Sequence, residues 1–369
     1  MDFDFNYWKK LHDGGLLHSF NSDKNGQLWL KTKSIIRKEL LNEYTQKFSI
    51  KLHSLNLNKQ FEELFNLHKS MPEQANSQLD AYIREKNALV FQSLNVEKLE
   101  SELYKLRIFE WGGDYNNSLD KYLVSHFVKA ISSYDELISK FDNEINRAVQ
   151  GYILSSWYNH WSSILIEHIF KSHQVVLPTV GQIKNVDFFI DDIPFDLKVT
   201  YFPSEYLKLK RKEFGFPNEL TLLKKKAKEL SVNYDKQGNH STIYHEITEK
   251  LKDINNTDSN SVIEQIKLQN LSIIREAQNN PKLLAKWLYE NQGEMRFSSE
   301  NRLFLILIDT NDLSNSWKIK RNIRFLTPII NTYLDSFREK KQADLILEFR
   351  YKEKPQIFSS LTDVIFAVR

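Results

Sequence analysis

The segment Val186-Asp-Phe-Phe-Ile-Asp-Asp-Ile-Pro-Phe-Asp-Leu-Lys-Val-Thr200 constrains this chain more than any other. Apolar side chains recur at every second position on both sides of Asp191-Asp192. A period of two marks a strand with one buried face, and a short polar break between two such runs marks a hairpin. An even-length loop centred on Asp191-Asp192 sets Ile190 opposite Ile193 and Asp187 opposite Asp196. Val186, Phe188, Ile190, Ile193, Phe195, Leu197 and Val199 then share one face, and all are apolar. The other face carries Asp187, Asp196, Lys198 and Thr200. A slip of one residue would turn the apolar set outward, so the pattern specifies its own register.

Carboxylates directly opposite each other on paired strands repel. A divalent cation between Asp187 and Asp196 removes the conflict, and Mg²⁺ takes one or two carboxylates while keeping several waters. Lys198, two residues beyond Asp196, projects from the same face. It could orient or deprotonate an attacking water, or offset charge in a phosphoryl transition state. The plainer alternative is a surface Asp–Lys pair on an exposed sheet face.

The pattern elsewhere is mostly helical. Leu28–Phe48, Lys59–Lys69, Gln78–Leu94 and Ser118–Arg147 have apolar residues at three- and four-residue spacing. Breaks fall at Met71-Pro72 and Gly112-Gly113-Asp114. Arg107 to Asp114 reads as a turn anchored by Trp111, or else as a functional loop. A helix over Val149–Ser172 carries a stripe of Trp157, Trp161, Ile164 and His168, expected in the core. Asn159, Ser163 and Glu167 form a polar line on another face. Residues 204–300 return to helix, with polar breaks at 233–241 and 255–261. Leu303–Ile308 is a continuous apolar run, as in a strand covered on both faces. A helix over Ile319–Arg338, interrupted or kinked near Pro328, and strands at Ala343–Phe349 and Val364–Val368 complete the reading.

Length and composition set outer limits. At roughly 150 residues per domain, 369 residues suggest two or three domains, or one with large insertions. No apolar run is long enough to span a bilayer, and Met1 precedes Asp2 and Asp4 with no basic, apolar leader pattern. The absence of cysteine excludes disulfides, thiolate metal sites and a cysteine nucleophile, and fits a cytoplasmic protein. Net charge is only +3, so local charge must be read instead. Lys208, Lys210, Arg211, Lys212, Lys224, Lys225, Lys226 and Lys228 form a basic stretch, either a solvated helix face or a phosphate-contacting surface. The sequence has no P-loop, no H-E-x-x-H and no G-x-S-x-G. His160 and His168 lack zinc-ligand spacing and read as core or supporting groups.

Asp187, followed by Asp196-Leu197-Lys198 on the next strand, resembles the active site of the PD-(D/E)xK nuclease superfamily, the restriction-endonuclease-like fold. The likeness spans roughly residues 149–203 and 301–369; the residue before Asp187 is Val186 rather than proline. It implies an α/β (α+β) protein with a mixed β-sheet flanked by helices, a nuclease core in two parts. A helical region over 1–148, expected to grip DNA and dimerise, precedes the core, and a helical insertion over 204–300 interrupts it. It implies Mg²⁺, with Mn²⁺ as a substitute, held by Asp187, Asp196, the Leu197 carbonyl and Glu167 from the preceding helix, with Lys198 assisting the water. The implied activity is hydrolysis of double-stranded DNA to 5′-phosphate and 3′-hydroxyl ends by a homodimeric type II restriction endonuclease, with a methyltransferase encoded nearby. Rival readings are a structure-specific repair or recombination nuclease, a non-catalytic DNA-binding protein on the nuclease fold, and a helical interaction protein with a structural sheet.

Overall fold

A computed structural model describes residues 3–109, 118–237, 240–291, 300–350 and 355–369. The far end of the Arg107–Asp114 segment, with Trp111, lies outside the described residues. The protein is mixed α/β, with sixteen α-helices and six β-strands among the described residues. The chain divides into two compact units. One comprises Met1–Gly26, Pro194–Ser316 and Glu339–Arg369; the other comprises Gln27–Ile193 and Trp317–Arg338.

The strands are β1 (Val176–Ile183), β2 (Val186–Ile190), β3 (Ile193–Tyr201), β4 (Arg302–Ile308), β5 (Ile346–Arg350) and β6 (Ile357–Val368). In the first unit β3 pairs parallel with β4 and β4 parallel with β6, while β5 pairs antiparallel with β6. Leu303 to Ile308 are all buried, as their unbroken apolar run requires. Phe304, Ile306 and Ile308 pack with Phe349 and Phe358 against Ile273, Ile274, Leu284 and Leu288 of the helices Thr257–Asn279 and Pro281–Asn291. A smaller core of Leu223, Ala227, Ile247, Leu251, Val262 and Ile266 ties the helices Glu219–Glu229, His240–Ile254 and Thr257–Asn279 together.

The second unit pairs β1 antiparallel with β2. Strand β1 is absent from the sequence reading because Pro178 and Gly181 break its alternation. Proline lacks the N–H a two-sided ladder needs, but within this unit β1 pairs only with β2, so that loss is tolerated. Gly181 is required by close approach: a Cβ there would collide with the Ser34 carbonyl oxygen at the end of the Lys24–Ser34 helix. Asp191 and Asp192, with φ of 50° and 65°, form the two-residue turn between β2 and β3. Positive φ at both positions is the geometry that tight hairpins favour, and aspartate tolerates it. Lys31, almost fully buried, secures the turn: its Nζ lies 2.7 Å from Asp192 Oδ1 and 3.0 Å from Asp80 Oδ1. It also donates to Asn76 Oδ1 at 3.1 Å.

Several helical expectations need correction. Leu28–Phe48 is two helices, Lys24–Ser34 and Lys38–Lys47, because Arg37 is extended between them. Ser118–Arg147 is broken into short α and π turns, with Ser133 accepting from the Glu136 N–H to start a new helix. On the Asn146–Ser172 helix the buried side chains include Tyr158, Ser162, Leu165, Ile166, Ile169 and Phe170. Trp157, Trp161, Ile164 and His168, expected in the core, are only half-buried. Ala343–Leu345 is helical, so β5 starts at Ile346, and β6 begins at Ile357, seven residues before the expected Val364.

A buried histidine joins three helices of the second unit. Thr32 Oγ1 donates to the Leu28 carbonyl at 2.8 Å and lies 2.9 Å from His68 Nδ1. The threonine proton is thus already used, so Nδ1 carries the ring proton and Nε2 accepts from the Tyr44 hydroxyl at 3.0 Å. Burial lowers the His68 pKa from 6.5 to about 4. The folded state therefore disfavours the charged ring. His68 contributes fully above about pH 6.5, the unfolded value, and that contribution is lost as the pH falls through about 4. The difference amounts to about 3 kcal/mol. Between pH 7 and pH 4, urea midpoints of the wild-type chain should fall more steeply than those of His68→Gln. Parallel curves would show that His68 does not titrate there.

Candidate functional site

Asp196 lies near the start of β3, only 6% exposed. Its register partner on β4 is Arg302, so the two side chains leave the sheet together. Asn301, 1% exposed, fixes that register. Its carbonyl accepts from the Asp196 N–H at 2.9 Å. Its amide donates to the Pro194 carbonyl at 2.9 Å and accepts from the Leu361 N–H at 3.0 Å. Asn21 pairs with the same amide group. A carboxamide with two donors and an acceptor can clamp β3, β6 and the Asn21 segment at once.

Four charged side chains meet here. Lys198 Nζ donates to Asp196 Oδ1 at 3.0 Å and lies 2.8 Å from Oδ2, the latter without hydrogen-bond geometry. Arg302 Nη2 and Nε lie 3.0 and 3.3 Å from Glu300 Oε2, while Nε stays 3.9 Å from Asp196 Oδ2. The guanidinium also lies over the Tyr289 ring, 5.0 Å from its centroid. Glu300 is 7% exposed, and its carbonyl accepts from the Tyr289 hydroxyl at 2.8 Å. Burial pushes the Glu300 carboxyl above its usual range, Arg302 opposes that, and Asp196 adds to it. Two carboxylates against two cations make the cluster neutral overall. That balance permits burial of charges that would otherwise cost several kcal/mol each.

Asp196 is thus not part of an open polar face. Phe189 and Pro194, which alternate with the acids, are buried too, whereas Ile193, Leu197 and Val199 on the apolar side are only half-buried. Asp187 is half-buried on β2, and its carbonyl accepts from Thr179 Oγ1 at 2.9 Å. Glu167 is partly exposed on its helix and paired with Lys171 at 2.6 Å. The unit boundary falls between Ile193 and Pro194, so Asp187 and Glu167 belong to one unit, and Asp196, Leu197 and Lys198 to the other.

Among the described residues no three His, Asp or Glu side chains stand together as a ready-made metal cage. The donor chemistry at Asp196 nonetheless suits a hard divalent ion. Its oxygens are held by the half-exposed Lys198 ammonium, at 3.0 and 2.8 Å, and such ions need only one or two carboxylates beside water and substrate oxygens. Glu300 and Arg302 escaped the sequence reading. They flank Asn301 just ahead of the apolar run Leu303–Ile308, but the parallel register that brings Arg302 beside Asp196 joins residues far apart in the chain.

The basic stretch is less available than its composition suggests. Arg211, expected at a phosphate, is buried at 4% exposure. Its guanidinium donates to the Pro217 carbonyl, Asn270 Oδ1 and Gln269 Oε1, each at 2.7 Å at its shortest. Lys208 is paired with Glu205, Lys210 with Glu213 and Glu276, and Lys226 with Glu229. Lys212, Lys225 and Lys228 are exposed, and Lys224 is half-buried. His160 is exposed, and His168 is half-buried, edge-on to Phe91 at 4.2 Å.

No protein-family model matches this chain, and neither a curated protein nor a solved structure does. No described helix is long and apolar enough to cross a membrane.

The two kinds of basic residue should separate by mutation. Arg211→Ala strips a buried hydrogen-bond network and should destabilise the protein by about 3 kcal/mol. Lys225→Ala and Lys228→Ala should each stay within about 0.5 kcal/mol of the parent. Urea denaturation of the three variants measures this; a neutral Arg211→Ala would contradict the structural role.

Proposed function

We propose that this chain is a Mg²⁺-dependent endonuclease acting on double-stranded DNA, of the type II restriction class, built on a restriction-endonuclease-like core. The observation that carries the reading is the Asp196–Lys198 pair. A nearly buried carboxylate has both oxygens against a lysine two residues on along the same strand face, at 3.0 and 2.8 Å, and that lysine's side chain is 46% exposed. The β-strand, turn and β-strand around it also suit the motif.

In this mechanism the Asp196 carboxylate and the Leu197 carbonyl would hold the ion. Asp187 and Glu167 belong to the proposal on the sequence pattern alone. A bound Mg²⁺ supplies Lewis acidity and lowers the pKa of water. Lys198 orients the attacking water and offsets charge gathering on the phosphoryl oxygens. Water adds to phosphorus as the bond to the 3′ oxygen breaks, that oxygen takes up a proton, and a 5′-phosphate remains. Arg302 stands 3.9 Å from Asp196 Oδ2 and does not hydrogen-bond to it. Exposed Lys212, Lys225 and Lys228, with Lys224, are the part of the basic stretch best placed for backbone phosphates. A symmetric dimer would bring two such sites to the two strands.

Incubation with unmodified plasmid and Mg²⁺, followed by end sequencing, tests the reading. Discrete bands are expected for a restriction enzyme; selective cutting of forks or flaps would point to the repair class instead. Asp196→Asn and Lys198→Ala should each lower cleavage by at least about a thousandfold, with circular dichroism unchanged. Ca²⁺ should support DNA binding without cleavage, because it accepts looser geometry than Mg²⁺. Undiminished cleavage by either variant, or full activity in excess chelator, would defeat the assignment.

A further inference from the structure

We infer that Glu300 keeps Asp196 available to a divalent cation by restraining Arg302. This deepens the proposed site and rests on Asp196 being a cation ligand, though not on nuclease activity. Two positive groups compete for the Asp196 carboxylate. Lys198 contacts both oxygens, but its side chain is 46% exposed and reaches out on a flexible stem. It can swing into solvent when another cation arrives. Arg302 cannot: it is 12% exposed, lies over Tyr289, and sits on β4 directly beside Asp196.

An arginine beside a buried carboxylate ordinarily closes on it in a two-pronged pair. Such a pair would occupy the Asp196 oxygens permanently. Here the fork is turned the other way. Nε and Nη2 both address Glu300 Oε2, at 3.3 and 3.0 Å, whereas Asp196 Oδ2 is left 3.9 Å from Nε, beyond hydrogen-bond reach. Asp196 Oδ2 is therefore left to the displaceable Lys198 ammonium, 2.8 Å away. Glu300 itself is 8% exposed at its side chain, so the Arg302–Glu300 pair is sheltered from competing water. Removing the Glu300 charge would free the guanidinium to turn to Asp196, the other carboxylate within its reach in this cluster. Glu300 in this account is a positioning residue, acting through Arg302.

The test is Mn²⁺ binding to the full-length chain without DNA, followed by electron paramagnetic resonance of the free ion. The wild-type chain should bind Mn²⁺ and Asp196→Asn should lose that binding. Glu300→Gln should weaken it by about tenfold or more, since a full charge moves onto the ligand at close range. The double variant Glu300→Gln with Arg302→Met should recover wild-type affinity, because the competitor is gone. Arg302→Met alone should bind at least as tightly as wild type, and it keeps the idea testable if Glu300→Gln fails to fold. No Mn²⁺ binding by the wild-type chain, wild-type affinity in Glu300→Gln, or weaker binding by Arg302→Met would overturn the inference. A double variant as weak as Glu300→Gln would also overturn it, by making Glu300 a ligand in its own right. Normal Mn²⁺ behaviour across this series without DNA cleavage would sink the nuclease reading alone.

Discussion

Burial of the Asp196 carboxylate is the constraint from which the rest of the site follows. An ionised group at 6% exposure survives only if charge and hydrogen bonds replace the water it has lost. The sheet meets that demand through register. Parallel pairing of β3 with β4 puts Arg302 beside Asp196, and alternation along β3 returns Lys198 to the same face. Two cations against one carboxylate would overcompensate, and Glu300, two residues before β4, restores the balance. Asn301 then carries a structural burden out of proportion to its size, because one amide group fixes the registers on which all these neighbours depend.

The parts of this arrangement that were legible in the sequence are those written in short range. Alternation around Asp191-Asp192 located β2, β3 and their turn, and the run Leu303–Ile308 located a strand buried on both faces. Alternation could not say that Asp196 would itself be buried, since that depends on what packs over it. Nor could it reveal β1, whose Pro178 is tolerated because β1 pairs with β2 alone among the described residues of its unit, and whose Gly181 is required by contact with the Ser34 backbone. Aromatic residues misled on the Asn146–Ser172 helix. Trp157 and Trp161 suggest a core face, but Tyr158, Ser162, Leu165, Ile169 and Phe170 occupy it. The Arg302–Glu300 hold on the site needed a parallel register that no local pattern encodes.

Basic residues illustrate the same limit in another way. Lys31, Arg211, Lys320 and Arg321 are all buried. Lys31 secures the β2–β3 turn, and Arg321 donates to the Leu103 and Leu106 carbonyls at 3.0 and 2.8 Å. Lys320 donates to Asn159 Oδ1 at 2.9 Å, and burial pushes its pKa down to about 8. A count of lysines and arginines therefore overstates the positive surface. The finer signal was present in spacing: Glu205 with Lys208, Lys210 with Glu213, and Lys226 with Glu229 are three apart on helices, where opposite charges meet. The same spacing singles out Lys212, Lys224 and Lys228, none of which has an acidic residue three or four positions away.

The division of labour between the two cations beside Asp196 follows from their side-chain chemistry. A guanidinium is a rigid planar fork that pairs best with a carboxylate held in one place, and Arg302 has that partner in Glu300. An ammonium is a compact point charge on four flexible carbons, easily hydrated once it leaves a partner. At position 198, with nearly half its side chain in solvent, lysine can neutralise Asp196 at one moment and move to other oxygens at the next. Arginine there would gain a stronger grip on the carboxylate and lose that freedom. The buried position beside the acid thus calls for a cation that stays, and the exposed position two residues on calls for one that can leave. The chain places each where the sheet gives it the right amount of water.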